Sequence, residues 1–261
     1  MNLLFIGDVV GRTGRTVLFQ NISHLIQQHH IDFTIANVEN AAGGFGVTPE
    51  IADEFLAHDI DLLTSGNHIW DKREIFDYLN TQPRLLRPAN YPPGNPGTGA
   101  FLGCTKQGLK VAVLNIQGRA YMPTIDCPFR VADAEIDRLR KETNIIIVDM
   151  HGEATAEKMA FGWYVDGRVS AVLGTHTHVP TADARILPMG TAYITDVGMT
   201  GPYHSVIGMN IEDSWQRLIY QQPKKFEPAK GDPRISGVIV EIDAQSGGAR
   251  RIERLHERYE I

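Results

Sequence analysis

The chain has 261 residues, of which 43% are hydrophobic and 21% charged, a composition typical of a globular protein with a sizeable core. Its formal net charge of −6 excludes an extended nucleic-acid surface, which needs an excess of basic residues. It does not exclude a small anionic substrate. We expect no signal peptide and no membrane span, because no apolar run is long enough. Two cysteines outside any Cys-x-x-Cys pair indicate reduced thiols and a cytoplasmic location.

Strand and helix patterns alternate in the N-terminal half. Short apolar runs predict strands, whereas apolar residues at helical spacing, or Pro49 directly after the cap residue Thr48, predict helices. We predict strands over 2–7, 32–38 and 60–64, with helices over 15–28, from 48 onward and near 72–80. This alternation indicates parallel strands covered by helices.

Strands dominate after a loop rich in proline and glycine at 87–97. We predict strands over 99–105, 109–116, 144–150, 168–173, within 184–195, and over 235–243 and 249–258, with helices over 131–142 and near 211–221. So many strands would strain one open sheet. We therefore predict a single domain, 1–261, that contains two sheets.

Two histidines separated by one residue, His176 and His178, follow the predicted strand over 168–173. A histidine is costly to bury without partners, and imidazole is the commonest metal-binding side chain. A pair at this spacing just past a strand can direct both rings at one small volume. The alternative is a pair of solvated loop histidines.

Other predicted strands also end in side chains that can bind a metal. Since the carboxyl ends of parallel strands meet at one edge of a sheet, these side chains should converge. Each one alone has an ordinary explanation as a cap or a turn former, and their joint occurrence is what predicts a metal site. The candidates are Asp8, Glu39, Asn40, Asn67, His68, His151, His176 and His178.

This set is larger than the three or four ligands that one zinc ion takes from a protein. It therefore predicts two cations, with a carboxylate of Glu39 or Asp8 bridging them. The set contains imidazole, carboxylate and amide groups but no thiolate, which favours Fe, Mn or Zn over Ca or Mg. Glu153 and Asp71 are candidates to orient an imidazole from behind.

The order of these motifs resembles that of the calcineurin-like metallophosphoesterases. The motifs are Gly7-Asp8, Glu39-Asn40, Gly66-Asn67-His68, His151 and Gly174-Thr175-His176-Thr177-His178. The resemblance implies an α/β fold, a four-layer sandwich of two mixed β-sheets flanked by helices, with the metal site at the C-terminal ends of strands.

The same resemblance implies roles for the candidate residues. One metal would be held by Asp8, Glu39 and His178, and the other by Glu39, Asn67, His151 and His176. The reaction would be in-line attack on phosphorus by a metal-bound hydroxide. His68 would donate a proton to the leaving oxygen.

Two departures from the usual family motifs narrow the resemblance to one branch of the family. The usual Asp-x-His is here Asp8-Val9-Val10, and the usual bridging aspartate is Glu39; Asn40 could replace the missing histidine as a ligand. With Met199-Thr200-Gly201-Pro202, these features resemble the bacterial YmdB branch of the family over nearly the whole chain. That branch implies a di-iron phosphodiesterase for cyclic nucleotides, with 2′,3′-cyclic nucleotides favoured.

Two other functions remain open at this point. A phosphomonoesterase or nucleotidase would use the same ligand set on a different phosphate ester. A regulatory protein would sense a nucleotide through a weakly active metal site, and the missing first-strand histidine keeps this alternative open. A small-molecule nucleotide is the expected partner in each case. The sequence does not determine whether the protein is a monomer or a homo-oligomer.

Overall fold

Buried apolar strands and helices alternate along the computed structural model, which describes residues 1–260. The N-terminal part agrees with the predicted order of elements, although a second, very short strand follows the first. Its elements are β1 (Asn2–Ile6), β2 (Asp8–Val9), α1 (Gly11–Gln28), β3 (Phe33–Asn37), α2 (Pro49–Ala57), β4 (Leu62–Thr64) and α3 (Ile75–Thr81).

The remainder of the described chain contains most of the strands. The elements are β5 (Ala100–Cys104), β6 (Lys110–Gln117), α4 (Pro128–Leu139), β7 (Ile146–His151), α5 (Thr155–Tyr164), β8 (Ala171–Thr175), β9 (Arg185–Ile186), β10 (Ala192–Ile194), β11 (Met199–Pro202), α6 (Ile211–Leu218), β12 (Pro233–Ile242) and β13 (Ala249–Arg258).

The strands form two mixed sheets. The first has the order β2-β11-β12-β1-β3-β4, with β13 paired to β12. In it β1, β3 and β4 are parallel, and β12 runs antiparallel to β1. The second has the order β5-β6-β7-β8-β10-β9, and β6, β7, β8 and β10 are parallel. Each sheet therefore has a set of parallel strands whose carboxyl ends share one edge.

Alternating side chains of the strands build the layers. Leu3 and Phe5 of β1 pack in a buried cluster with residues of the second sheet such as Val113, so this cluster lies between the sheets. Leu4 of β1 faces the other way, towards α1 and α2. Residues of β6 and β7 similarly contact α4 and α5. The predicted architecture of two mixed sheets flanked by helices is confirmed.

Some elements differ from the prediction. The sequence pattern does not predict α5, because this helix buries only Lys158, Phe161 and Gly162 and its apolar pattern is weak. It does not predict β11 either, because Gly201 and Pro202 are disfavoured in strands. It is tolerated because it forms only short pairings, with β2 and with the start of β12. The predicted strand within 184–195 is interrupted and forms β9 and β10.

No helix within residues 1–260 is long and apolar enough to cross a bilayer. The single-domain organisation stays a prediction.

Leu3→Ala should lower the free energy of unfolding by about 2–5 kcal/mol, because it leaves a cavity between the two sheets. Leu3 is 0% exposed, and urea denaturation measures the loss. Leu218→Ala is the matched control, since Leu218 is 68% exposed and its truncation should change stability by no more than about 0.5 kcal/mol. Equal losses in the two variants would contradict the packing between the sheets.

Candidate metal centre

The candidate ligands lie where the carboxyl ends of the parallel strands of both sheets meet. Asp8 is the first residue of β2 and is separated from β1 by Gly7, Glu39 follows β3, and His151 is the last residue of β7. Asp8 and His151 are 0% exposed and Glu39 is 1% exposed. Strand ends from two separate sheets therefore place ionisable groups in one buried region, as the sequence predicts.

Three side chains lie close to Nε2 of His151 and form a tight cluster with it. This atom lies 3.1 Å from Oδ1 of Asn67, 3.1 Å from Nδ1 of His176 and 3.2 Å from Oε1 of Glu39. Glu39, His151 and His176 each offer one ligand atom within 4.8 Å of the other two. The structure thus brings together the four residues that the resemblance groups around one metal.

Gly66 makes room for this cluster. A β-carbon at this position would stand 2.1 Å from Nε2 of His151, a distance that no side chain could occupy. The chain turns here into a short 3-10 helix, Asn67–Trp70, which directs Asn67 towards the imidazole. Glycine at position 66 is therefore required by the close approach of the backbone to His151.

Asp8, Asn40 and His178 lie beside this cluster. Nε2 of His178 is 3.3 Å from Oδ1 of Asn40. Oδ2 of Asp8 accepts a hydrogen bond from the backbone amide of His176 at 3.1 Å. Oδ1 of Asp8 is buried and has no hydrogen-bond partner among the described residues. An unpartnered buried carboxylate oxygen beside an imidazole and an amide fits a cation.

Each imidazole of the centre is oriented by a hydrogen bond at its other ring nitrogen. Nδ1 of His178 donates to the carbonyl oxygen of Ile207 at 2.8 Å. Nε2 of His176 lies 3.1 Å from Oε2 of Glu153, the contact expected for an orienting carboxylate. Such bonds fix the tautomer, so that the opposite nitrogen can face a metal. The geometry supports the sequence-based suggestion for Glu153.

His151 is oriented by Asp149, a carboxylate that is not among the residues predicted from the sequence. Nδ1 of His151 contacts Oγ1 of Thr175 at 2.9 Å, and this hydroxyl donates to Oδ1 of Asp149 at 2.7 Å. Because the hydroxyl uses its proton on the carboxylate, it accepts from the imidazole. Asp149 is a lone charge inside an apolar strand, and that signal could have identified it.

The electrostatics of the centre favour a bound cation. Burial acts to raise the pKa of Glu39, but the neighbouring imidazoles, above all His151, lower it to about 2. Burial acts to lower the pKa of His151, but Glu39, Asp8 and Asp149 raise it to about 9. Burial also raises the pKa of Asp8 and, with the charge on His151, lowers that of His176 to about 3. A proton on His151 therefore offsets buried negative charge, as a cation would.

Two contacts hold His68 at the exposed edge of the centre. Its Nδ1 lies 2.7 Å from Oδ2 of Asp71, the second carboxylate suggested as an orienting group. Its backbone amide donates to Oε2 of Glu39 at 3.0 Å. The ring does not join the ligand cluster, and its side chain is 29% exposed. His68 is thus placed at the edge of the centre with one nitrogen committed to Asp71.

A cavity of about 450 Å³ opens over the centre. Its lining combines polar and apolar side chains, and three of the five apolar residues belong to the connection between β11 and β12. None of the described lining residues is a lysine or an arginine. The polar residues are Glu39, Asn40, His68, Glu153, His176, Thr177 and His178, and the apolar ones are Phe45, Val179, Ile207, Met209 and Phe226.

Comparison with known proteins agrees with the predicted fold and family. A family model described as YmdB-like protein matches residues 4–255. The 2′,3′-cyclic-nucleotide 2′-phosphodiesterase of Bacillus subtilis is 49% identical over 98% of this chain and 96% of its own length. These matches extend over nearly all of the sequence.

Two crystal structures have the same fold. A hypothetical protein from Thermus thermophilus is 38% identical, with a TM-score of 0.93 and 100% of both chains covered. A phosphatase from Mycoplasma pneumoniae is 33% identical, with a TM-score of 0.93, covering 99% of this chain and 93% of its own. The fold and the site define a metallophosphoesterase of the calcineurin-like class. Within that class, the chain belongs to the YmdB-like family, as the sequence predicts.

The affinity of the metal-depleted protein for Mn²⁺ should rise about tenfold per pH unit between about pH 6 and about pH 8. Without a cation, His151 holds a proton up to its pKa of about 9, so protons compete with the metal, and rising pH removes that competition. Calorimetric titration at several pH values measures the effect.

His58→Ala is the control for this pH dependence. It removes an exposed histidine outside the centre and should leave the slope unchanged. A wild-type affinity that does not change with pH would show that no proton is displaced at the ligand cluster.

Proposed function

We propose that this protein is a phosphodiesterase that hydrolyses 2′,3′-cyclic nucleotides at a centre of two cations. One observation carries the proposal: a cavity lined partly by apolar side chains opens over a buried cluster of imidazole, carboxylate and amide groups. The name and the 49% identity of the Bacillus subtilis relative support this substrate class. A cyclic nucleotide matches both features, because its anionic phosphate suits the cation centre and its base suits the apolar lining residues.

The ligand assignment follows the two groups of side chains. One cation would be held by Asp8, Asn40 and His178, and the other by Asn67, His151 and His176. Glu39 would bridge them. This carboxylate contacts His151 directly and adjoins Asn40 in the chain. The mixture of ligands suits iron, with manganese or zinc as alternatives.

Two cations, when bound, supply positive charge that stabilises the phosphoryl oxygens and lowers the pKa of the attacking water. The side chains around the centre contribute by fixing the orientation of the imidazole rings. Asp149 and Thr175 fix the His151 ring, and Glu153 fixes the His176 ring. Rings held in this way do not have to reorganise during the reaction, which keeps the centre ready for substrate.

His68 has the position required of a proton donor. Water adds its oxygen to phosphorus, the bond from phosphorus to a ribose oxygen breaks, and that oxygen needs a proton as it leaves. Nδ1 of His68 is bonded to Asp71, so Nε2 is the nitrogen that remains to deliver the proton. Its ring lines the cavity and lies outside the ligand cluster. General acid catalysis by such a group contributes about 10²–10⁴ in rate.

The charge of the cavity favours a diester over a monoester. A phosphate monoester carries a charge of about −1.5 to −2 near neutral pH, whereas a diester carries a single negative charge. Monoester sites commonly add arginine, which matches phosphate through two hydrogen bonds. The described residues that line this cavity include no arginine or lysine, so charge stabilisation would fall to the cations alone.

The cytoplasmic location is part of the same proposal. Cys104 and Cys127 are both free, and a reducing compartment keeps such thiols unpaired.

A comparison of substrates tests the function. The metal-loaded protein should hydrolyse 2′,3′-cyclic AMP with a kcat/KM at least about tenfold above that for 3′-AMP or 2′-AMP, because the cavity suits one negative charge. The same protein after chelation should be inactive. Faster turnover of the monophosphates would identify a phosphomonoesterase instead, and tight binding of the cyclic nucleotide without turnover would identify a regulatory protein.

His68→Ala should retain the bound metal and lose turnover by about 10²–10⁴, since the ring is the proton donor and lies outside the ligand cluster. Metal analysis and steady-state kinetics on the same preparation measure both effects. His24→Ala, which removes an exposed histidine on α1, should change neither. If metal content falls together with activity, His68 is a ligand and its role as the proton donor is refuted.

A further inference from the structure

A buried lysine and a buried aspartate form an ion pair behind the loop that carries His176 and His178. Lys158 lies on α5 and is 1% exposed, and Asp196 follows β10 and is 0% exposed. Their Nζ and Oδ2 atoms are 2.7 Å apart. Removing two charges from water costs about as much as their attraction returns. The importance of the pair therefore lies mainly in the other hydrogen bonds that its two side chains make.

The two charged groups bond the backbone on either side of His176. Nζ of Lys158 donates to the carbonyl oxygen of Thr175 at 2.6 Å. Oδ2 of Asp196 accepts from the amide of Thr177 at 3.0 Å. The other oxygen, Oδ1, accepts from the amide of Gly198 at 2.9 Å, which anchors the carboxylate. The pair thus holds the loop through one carbonyl and one amide.

The loop conformation needs such support. His176 has a φ of 100° and His178 a φ of 66°, and both values lie in the left-handed region that side chains other than glycine rarely adopt. Conformations of this kind cost about 1–3 kcal/mol each and persist only where their surroundings fix them. Released from the pair, the backbone would relax and turn the imidazoles away from the centre.

We propose that Lys158 and Asp196 are positioning residues that hold His176 and His178 in the conformation that binds cations. This inference rests on the proposed function, because it takes both histidines as ligands. The pair acts only through the backbone of the loop. Its loss should therefore weaken and distort cation binding in a protein that remains folded.

Co²⁺ titration of the metal-depleted full chain tests the proposal, because visible absorption reports both affinity and ligand geometry. Lys158→Met and Asp196→Asn should each bind Co²⁺ about 10–100-fold more weakly than wild type, with altered bands and an unchanged far-ultraviolet circular dichroism spectrum. The double variant should bind Co²⁺ with no lower affinity than the single variant that binds it less tightly, because the two groups act as a unit.

Arg168→Met is the matched control. It breaks the ion pair between Arg168 and Asp133, 2.6 Å long, just before the amino end of β8, the strand whose other end carries the histidine loop. It should lower thermal stability and leave Co²⁺ affinity unchanged. Asp196→Asn preserves side-chain volume but replaces one of the two acceptor oxygens with an NH2 group, so the side chain can no longer accept from both Thr177 and Gly198; it carries the test if Lys158→Met does not fold.

Two results would overturn the inference, and they are distinguishable. Folded variants with wild-type Co²⁺ affinity and bands would overturn the positioning role and leave the proposed function intact. A wild-type chain that binds no Co²⁺ would overturn the proposed function and the positioning role with it.

Discussion

Negative charge buried at the junction of two sheets is the constraint on which the structure depends. Asp8, Glu39 and Asp149 are each no more than 1% exposed, and buried carboxylates are costly unless positive charge or hydrogen bonds offset them. The raised pKa of His151 is one response to this charge. A bound cation would offset the buried negative charge more strongly than a proton does, and the surrounding groups are of the types that bind transition metals.

Asp149 connects this charge to the scaffold. Its carboxylate accepts from Thr64 at 2.5 Å and from Asn37 at 3.1 Å, both in the first sheet, and from Thr175 at 2.7 Å in the second. Burial raises its pKa to about 6 against the lowering effects of His151 and the hydroxyl donors. One side chain thus ties together the ends of strands from both sheets and orients His151. The geometry of the centre and the packing of the sheets are parts of one network.

The fold class and the position of the centre could be predicted from the sequence because both follow local rules. Apolar periodicity locates most strands, and the convergence of parallel strand ends brings Asp8, Glu39 and His151 together. Other features depend on contacts that no local pattern encodes. Lys158 lies on a helix with a weak apolar pattern, and its partner Asp196 is 38 residues away in the chain. Neither left-handed φ angle in the histidine loop could be read from the sequence either, since glycine is the usual signal for that conformation.

Most of the polar residues that line the cavity come from a different part of the chain than three of its apolar residues. The polar groups stand at the ends of sheet strands or in the short turns that follow them, whereas Ile207, Met209 and Phe226 belong to the long connection between β11 and β12. That connection can accept substitutions and insertions without moving a strand, because loops tolerate changes that cores do not. The connection is tied to the centre at one point, the carbonyl of Ile207 that accepts from Nδ1 of His178. A new organic group can therefore be accommodated by exchanging side chains such as Met209 and Phe226, provided that the backbone at Ile207 keeps its place.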